Sequence, residues 1–212
     1  RVVKACCDSL KLHGVELGTS LFEDAFEDRT PRSEALREGE NFIARGGNAR
    51  GRRPKPSVVL AVMLKHLDPL SDSLVPSKMY KDFLKLIRVE HYESQLYIFR
   101  VLLERVPPRR TDVLNALAEL LHRALFGFAV ARSGARAIED DAPLRKLSKL
   151  FAPRLFRASK VDSEQDDYAI RLVGILLREF RFLILKEKQI VFVEARPSIK
   201  LFVNATDDDA ET

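Results

Sequence analysis

The sequence predicts an all-α helical bundle, and three observations predict it. Apolar residues recur at helical spacing in one segment after another. Prolines and glycines punctuate those segments. The 212 residues are 46% hydrophobic and 32% charged, enough for a core that needs no disulfide or metal staple. The length suits one domain with an appendage.

The elements follow in order. Residues 2–13 read as a helix with Val2, Val3, Cys6 and Leu10 inward and Gly14 as the stop. Residues 19–28 set Leu21, Phe22 and Phe26 among acids, which suits a short helix or an irregular turn. Residues 45–56 hold Gly46, Gly47, Gly51, Pro54 and Pro56 and are expected to form a mobile surface loop. Residues 57–67 are apolar at most positions, as in a helix buried on more than one side. A short helix is expected over 77–88 with Met79, Tyr80, Phe83 and Leu84 on one face. Another is expected over 91–106 with Tyr92, Leu96, Phe99, Leu103 and Val106 inward, ended by Pro107-Pro108. Thr111 and Asp112 are expected to cap the next helix, 112–128, with Val113, Leu114, Leu117, Leu120, Leu121 and Leu125 as its stripe. Residues 129–142 read as a loop. Residues 143–157 read as a helix that starts at Pro143 and is broken by Pro153. A long helix over 165–182 points Leu172, Ile175, Leu176 and Phe180 inward.

Beyond it, 183–195 carries two β-favouring runs, Leu183–Leu185 and 190–193, around a charged KEKQ. A small hairpin and an extension of the last helix both fit. We divide the chain into a domain over 1–184, an extension over 185–206, and an acidic tail over 207–212 with the composition of disordered chain.

Thirty-six Lys and Arg against 31 Asp and Glu give a formal charge of +5. Arg45, Arg50, Arg52, Arg53 and Lys55 lie in one acid-free stretch and account for all of it. The charge is a local basic loop on a neutral body, not a general nucleic-acid surface. The loop reads as a solvated insertion, as an anionic-lipid contact, or as a phosphate contact. Cys6 and Cys7 are adjacent and suit no disulfide, so a reducing, cytoplasmic setting is expected, with room for membrane association through flanking regions. No apolar run reaches the length of a membrane helix. The first residue is Arg1, and we expect the chain to be a segment of something longer. His13, His66, His91 and His122 show no metal-ligand spacing, GGNARG lacks the Lys-Ser/Thr of a phosphate loop, and no cofactor is expected.

Three strings carry a family resemblance. VVLAVMLKHLDPLSDSLVPSKMYKDF (58–83) is similar to VVxxLLKxxLRELPEPLIPxxLYxxF, with Val58, Val59, Leu67, Leu70, Leu74, Pro76, Tyr80 and Phe83 in register. PPRRTDVLNALAELL (107–121) is similar to LPxxNxxTLxxLxxHL. LSKLFAPRLFR (147–157) is similar to NLAxVFAPxLLR, through Phe151-Ala152-Pro153, Leu155 and Arg157. In this order and spacing they resemble the RhoGAP domain, a helical activator of Rho/Rac-type small GTPases, across residues 2–184. The resemblance implies a GTP-bound GTPase as partner and an arginine finger in a GIFRxSG motif. Here Leu21-Phe22 is kept, Glu23 stands at the finger position, and no Ser-Gly follows. In the family's KxxxR helix, Leu64 and Asp68 take the lysine and arginine places, with Lys65 one residue away. The asparagine of NLA becomes Lys146.

An arginine works in GTP hydrolysis because its fixed charge and planar fork meet negative charge gathering on the phosphoryl group. Glutamate reverses that sign. The expectation is therefore a RhoGAP-like module whose activating role is weak or lost, a pseudo-GAP and not an independent enzyme. The alternative is a protein-interaction or acidic-membrane scaffold that binds no GTPase. Arg29 and Arg32 read as displaced fingers or as solvated loop arginines. Lys65, Asp68, Lys146 and Arg154 are the candidate GTPase-facing residues, against a reading as ordinary surface charges. Arg157 is expected to be structural.

Overall fold

The computed structural model describes residues 1–13, 15–27, 29, 31–47, 53–68, 70, 72–126, 142–157 and 163–186, with backbone only at 15–17 and 163–166. The described elements are α1 (Val2–His13), a 3₁₀ segment (Val15–Phe22), α2 (Glu23–Phe26), α3 (Ser33–Ala44), α4 (Pro56–Leu67), α5 (Ser77–Leu86), α6 (Tyr92–Glu104), α7 (Pro108–Phe126), α8 (Ala142–Leu155), α9 (Ser163–Arg178) and α10 (Phe180–Leu183). The fold is all-α, and no strand occurs among the described residues. Gly14, Arg50, Arg52, 129–141 and everything from 187 onward lie outside the described residues.

Helix α1 packs on α4 and α7, α3 covers the other side of α4, and α8 lies along α9. Val3, Cys6, Cys7 and Leu10 face inward from α1, but Val2 is 36% exposed. Burial pushes the Cys6 thiol up to about 12 and the Cys7 thiol higher still. Cys7 Sγ lies 3.5 Å from Met63 Sδ, so both cysteines act as small core residues. Helix α4 buries Val58, Val59, Leu60, Val62, Met63 and Leu67, which is burial on more than one side. Phe83, Phe99 and Phe156 form an edge-on trio with centroids 5.3–6.4 Å apart, joining α5, α6 and the end of α8.

Four expectations need correction. Helix α3 has no counterpart in the sequence reading, because SEALREGENFIA is mostly polar and carries an internal glycine that weakens a helix. Packing explains both features. A Cβ at Gly39 would stand 2.9 Å from Val58 Cγ1 and 3.0 Å from Val62 Cγ2, so the glycine lets α3 approach α4, and Phe42 and Ile43 bury beside it. Helix α7 begins at Pro108, not at a Thr111-Asp112 cap. Proline's fixed φ suits the first helical position, where its missing N–H costs nothing. Thr111 Oγ1 instead donates to the Val106 and Pro107 carbonyls at 3.0 and 3.2 Å. Pro153 does not break α8, which runs on to Leu155, because a proline in the last turn removes only one late bond. Finally, Leu183–Leu185 is no strand arm: Leu183 ends α10, which follows a break at Glu179.

The end of α8 is closed from outside. The Leu74 and Val75 amides donate to the Arg154 and Leu155 carbonyls at 3.1 and 3.0 Å, satisfying acceptors a helix end leaves free. Ser73 Oγ donates to the Val75 carbonyl at 2.6 Å and accepts from the Arg157 amide at 3.1 Å. Arg157 also donates to the Pro153 carbonyl at 3.3 Å. Arg110 donates to Asp72 at 2.9 Å and to the Ser73 carbonyl at 2.7 Å, and the Ser77 amide donates to Asp72 at 2.9 Å. Residues 72–77 thus tie the starts of α5 and α7 to the end of α8. Burial pushes the Asp72 carboxyl up, but Ser77 and Arg110 outweigh it and hold it below the ordinary range.

His122 stacks on Phe180 with centroids 4.8 Å apart, and its Nδ1–H points at the Leu177 carbonyl at 2.9 Å. Burial lowers its pKa; the Leu177 bond opposes this, and Arg181 and Arg123 reinforce it. Below the ordinary imidazole value of 6.5, the unfolded chain takes up a proton that the folded chain resists. Stability is therefore full above that pH and falls beneath it until folded His122 protonates. The urea midpoint should drop between about pH 7 and 5, and His122→Phe should flatten that step. An equal drop in the Phe variant would show that His122 is not its source.

Candidate functional site

Glu23 is held by the apolar residues on either side of it. Phe22 is fully buried and meets Phe151 of α8 edge-on, centroids 6.0 Å apart; Phe26 lies 6.3 Å from Phe22. Between them α2 makes a single turn. Gly18 supplies the bend upstream, at φ 57° and ψ −136°, a conformation only glycine adopts without strain. Glu23 opens α2 and is exposed, with Asp24 beside it. It lies three residues before Phe26, hence on the same side of that turn.

Lys146 is brought to this segment. Its ammonium stands 5.9 Å from the Phe26 ring centre, a cation–π contact. A groove of about 840 Å³ between α8 and α9 continues from it, lined by Arg145, Lys149, Arg171, Asp167 and Tyr168 as well. Among the described lining residues four cations face one acid.

The other candidates are engaged within the chain. Lys65 Nζ donates to Glu40 Oε1 of α3 at 2.7 Å, a bond that holds the Glu40 carboxyl below its ordinary range. Asp68 Oδ1 lies 2.7 Å from Arg154 Nε, although the Nε–H is not aligned for a hydrogen bond. The contact is a charge pair without directional bonding, and Arg154 Nη1 donates to the Leu150 carbonyl instead. Arg29 pairs with Glu27 at 2.5 Å, both more than half exposed, and its amide donates to the Asp24 carbonyl at 2.7 Å. Arg32 is exposed at the start of α3. Of the basic loop, Arg45, Arg53 and Lys55 are described, and all three are exposed. Arg53 Nη1 stands 3.3 Å from His13 Nδ1.

Glu23 and Lys146 therefore share one locality, while Lys65 and the Asp68–Arg154 pair mark the two ends of a second on α4. Glu40 was missed because its helix was missed. The Asp68–Arg154 pair had one visible signal, an acid where the resembling family carries a base. Arg154 itself falls on an unspecified position of its string. No group of three His, Cys, Asp or Glu that could hold a metal occurs among the described residues, and no described helix is long and apolar enough to cross a membrane.

In structural comparison the chain is similar to the BH domain of GRAF, the GTPase regulator associated with focal adhesion kinase. The TM-score is 0.67 at 13% identity, over 89% of this chain and 95% of that one. It is also similar to human Rho GTPase activating protein 15, with a TM-score of 0.62 at 16% identity, over 86% of this chain and 82% of that one. No curated protein matches the sequence. The RhoGAP domain family matches residues 1–160, three-quarters of the chain, including Glu23, Lys65, Asp68, Lys146 and Arg154 but not the α9 side of the groove, so the chain belongs to the RhoGAP domain family.

Proposed function

We propose that this Rho-GTPase-binding regulatory module docks a GTP-loaded Rho/Rac-type GTPase and stimulates hydrolysis weakly or not at all. Glu23 carries the reading. Hydrolysis gathers negative charge on the transferring phosphoryl group, and an arginine supplied in trans is worth about 10³–10⁵ in rate. A carboxylate at that place raises the energy of the same charge. Asp24 and Glu27 add to the field. Arg29 would have to leave Glu27 to act as a displaced finger, and Arg32 would have to leave the start of α3.

Docking asks less than catalysis. Lys65, Lys146 and the groove cations suit an acidic partner surface, which steers association and fixes register. Asp68 takes part by neutralising Arg154. The domain would then hold a GTPase as a scaffold in signal transduction, in a cytoplasmic setting, with no cofactor. A second reading rests on the exposure of Arg45, Arg53 and Lys55: with Arg50 and Arg52 they would meet acidic lipid at about 1 kcal/mol per basic residue, and no GTPase would bind.

Single-turnover hydrolysis on a panel of Rho/Rac-type GTPases tests the catalytic half. Stimulation by the unsubstituted domain should fall far short of about 10³-fold, and Glu23→Arg should raise it by at least about tenfold. Thousandfold stimulation by the unsubstituted domain would overturn the reading. Equilibrium binding tests the other half. Lys65→Glu should weaken the complex by about 5–30-fold, the cost of reversing a charge at an interface. If no GTPase binds and acidic vesicles bind in a salt-sensitive way, the second reading takes its place.

A further inference from the structure

Helix α6 buries Gln95, Leu96, Phe99, Leu102 and Leu103 and packs on α5 and α10. Its other side is apolar and uncovered. Tyr97 is 65% exposed, Ile98 41% and Val101 41%, three of the seven large exposed hydrophobics among the described residues. At 3.6 residues per turn they share one arc of about 100°, with Ser94 within it and Glu104 at its edge. The other four are spread over three places: Val2 and Leu12 on α1, Leu70 after α4, and Leu185.

The chain itself is led to this arc. Lys186, the last described residue, donates from Nζ to Glu104 Oε1 at 2.8 Å, and that bond lowers the Glu104 pKa. Arg100 of α6 stacks over Phe182 at 5.4 Å, so the stretch before Lys186 already lies along one flank of α6. Leu185, 53% exposed, directly precedes the ion pair. Residues 187–212 follow, and the first apolar run among them is Ile190, Val191, Phe192 and Val193. From Glu104 to Tyr97 the helix rises about 10 Å. Four extended residues beyond Lys186 span about 13 Å, so Ile190 has the reach to pass the far end of the arc.

We propose that residues 190–193 dock on the α6 face formed by Tyr97, Ile98 and Val101, with the Lys186–Glu104 pair as the pivot. Apolar side chains then leave water on both partners. The three-residue link from Lys186 keeps the run at a local concentration that a separate molecule reaches only in the millimolar range. This occupant is favoured over a second copy of the chain because the described backbone ends at the edge of the arc. The proposal is independent of GTPase binding, since the candidate site lies on α2, α4 and α8.

The buried thiols make the test clean. Cys6 and Cys7 are shielded and protonated at neutral pH, so a cysteine placed at Ser94 is the one reactive thiol of the folded chain of 212 residues. Ser94→Cys keeps all three apolar residues of the arc. Its alkylation by a maleimide is compared with that of Ser94→Cys carrying Ile190→Asp and Phe192→Asp. The proposal expects slow alkylation in the first, about tenfold faster alkylation in the second, and rates independent of protein concentration. Equal rates in the two chains would overturn it. So would protection that disappears on dilution, which would assign the face to a second copy.

Discussion

The edge-on contact of Phe22 with Phe151 governs how the rest of this molecule is understood. It ties the segment bearing Glu23 to α8, with the ring centroids 6.0 Å apart, and α8 is in turn tied through its last carbonyls to residues 74 and 75. The turn that bears Glu23 is therefore held by core packing, independent of the charge it presents. Under the proposed reading, a glutamate there in place of an arginine would leave the anchor intact and invert the field. On that reading, fold and chemistry part at a single side chain: the core would supply the address, and Glu23 would change what is delivered.

Charge neutralised within the chain is the second theme. Lys65 is bonded to Glu40 and Arg154 touches Asp68. An exposed pair of this kind is worth at most about 1 kcal/mol, so Lys65 stays exchangeable. Arg154 is different. Its side chain is 15% exposed and it also bonds the Leu150 carbonyl, so a partner would compete with two contacts at once. Lys146 rests on Phe26 through a cation–π contact, without an ion pair among the described residues like those that hold Lys65 and Arg154, and it stands on the side of α8 that adjoins Glu23. Electrostatic attraction toward an acidic partner is thus expected to centre on α8.

Much of this was legible in the sequence, for physical reasons. Helices α4 to α7 carry long apolar stripes bounded by proline, and Val58, Val59, Leu67, Leu74, Tyr80 and Phe83, in register with a known pattern, are all buried. What stayed hidden depends on contacts far apart in the chain. Helix α3 reads as polar because Gly39, its weak point alone, is its point of closest approach to Val58 and Val62. With α3 unseen, Glu40 could not be paired with Lys65. Pro153 reads as a helix breaker until the amides of Leu74 and Val75 arrive to close the end of α8. The assignment of Glu23 rests on sequence alone, through the register set by its neighbours Leu21 and Phe22.

The account stands on the sign of the charge that Glu23 presents to a docked nucleotide. The most direct measurement is the affinity of the domain for one Rho/Rac-type GTPase in two states. In one the GTPase carries a non-hydrolysable GTP analogue; in the other it carries GDP with a fluoride mimic of the transferring phosphoryl group. A domain that offers no cation to the transition state should bind the two states equally, within about twofold. Binding at least about tenfold tighter to the mimic would mean that a guanidinium reaches the phosphate, and the account would be wrong.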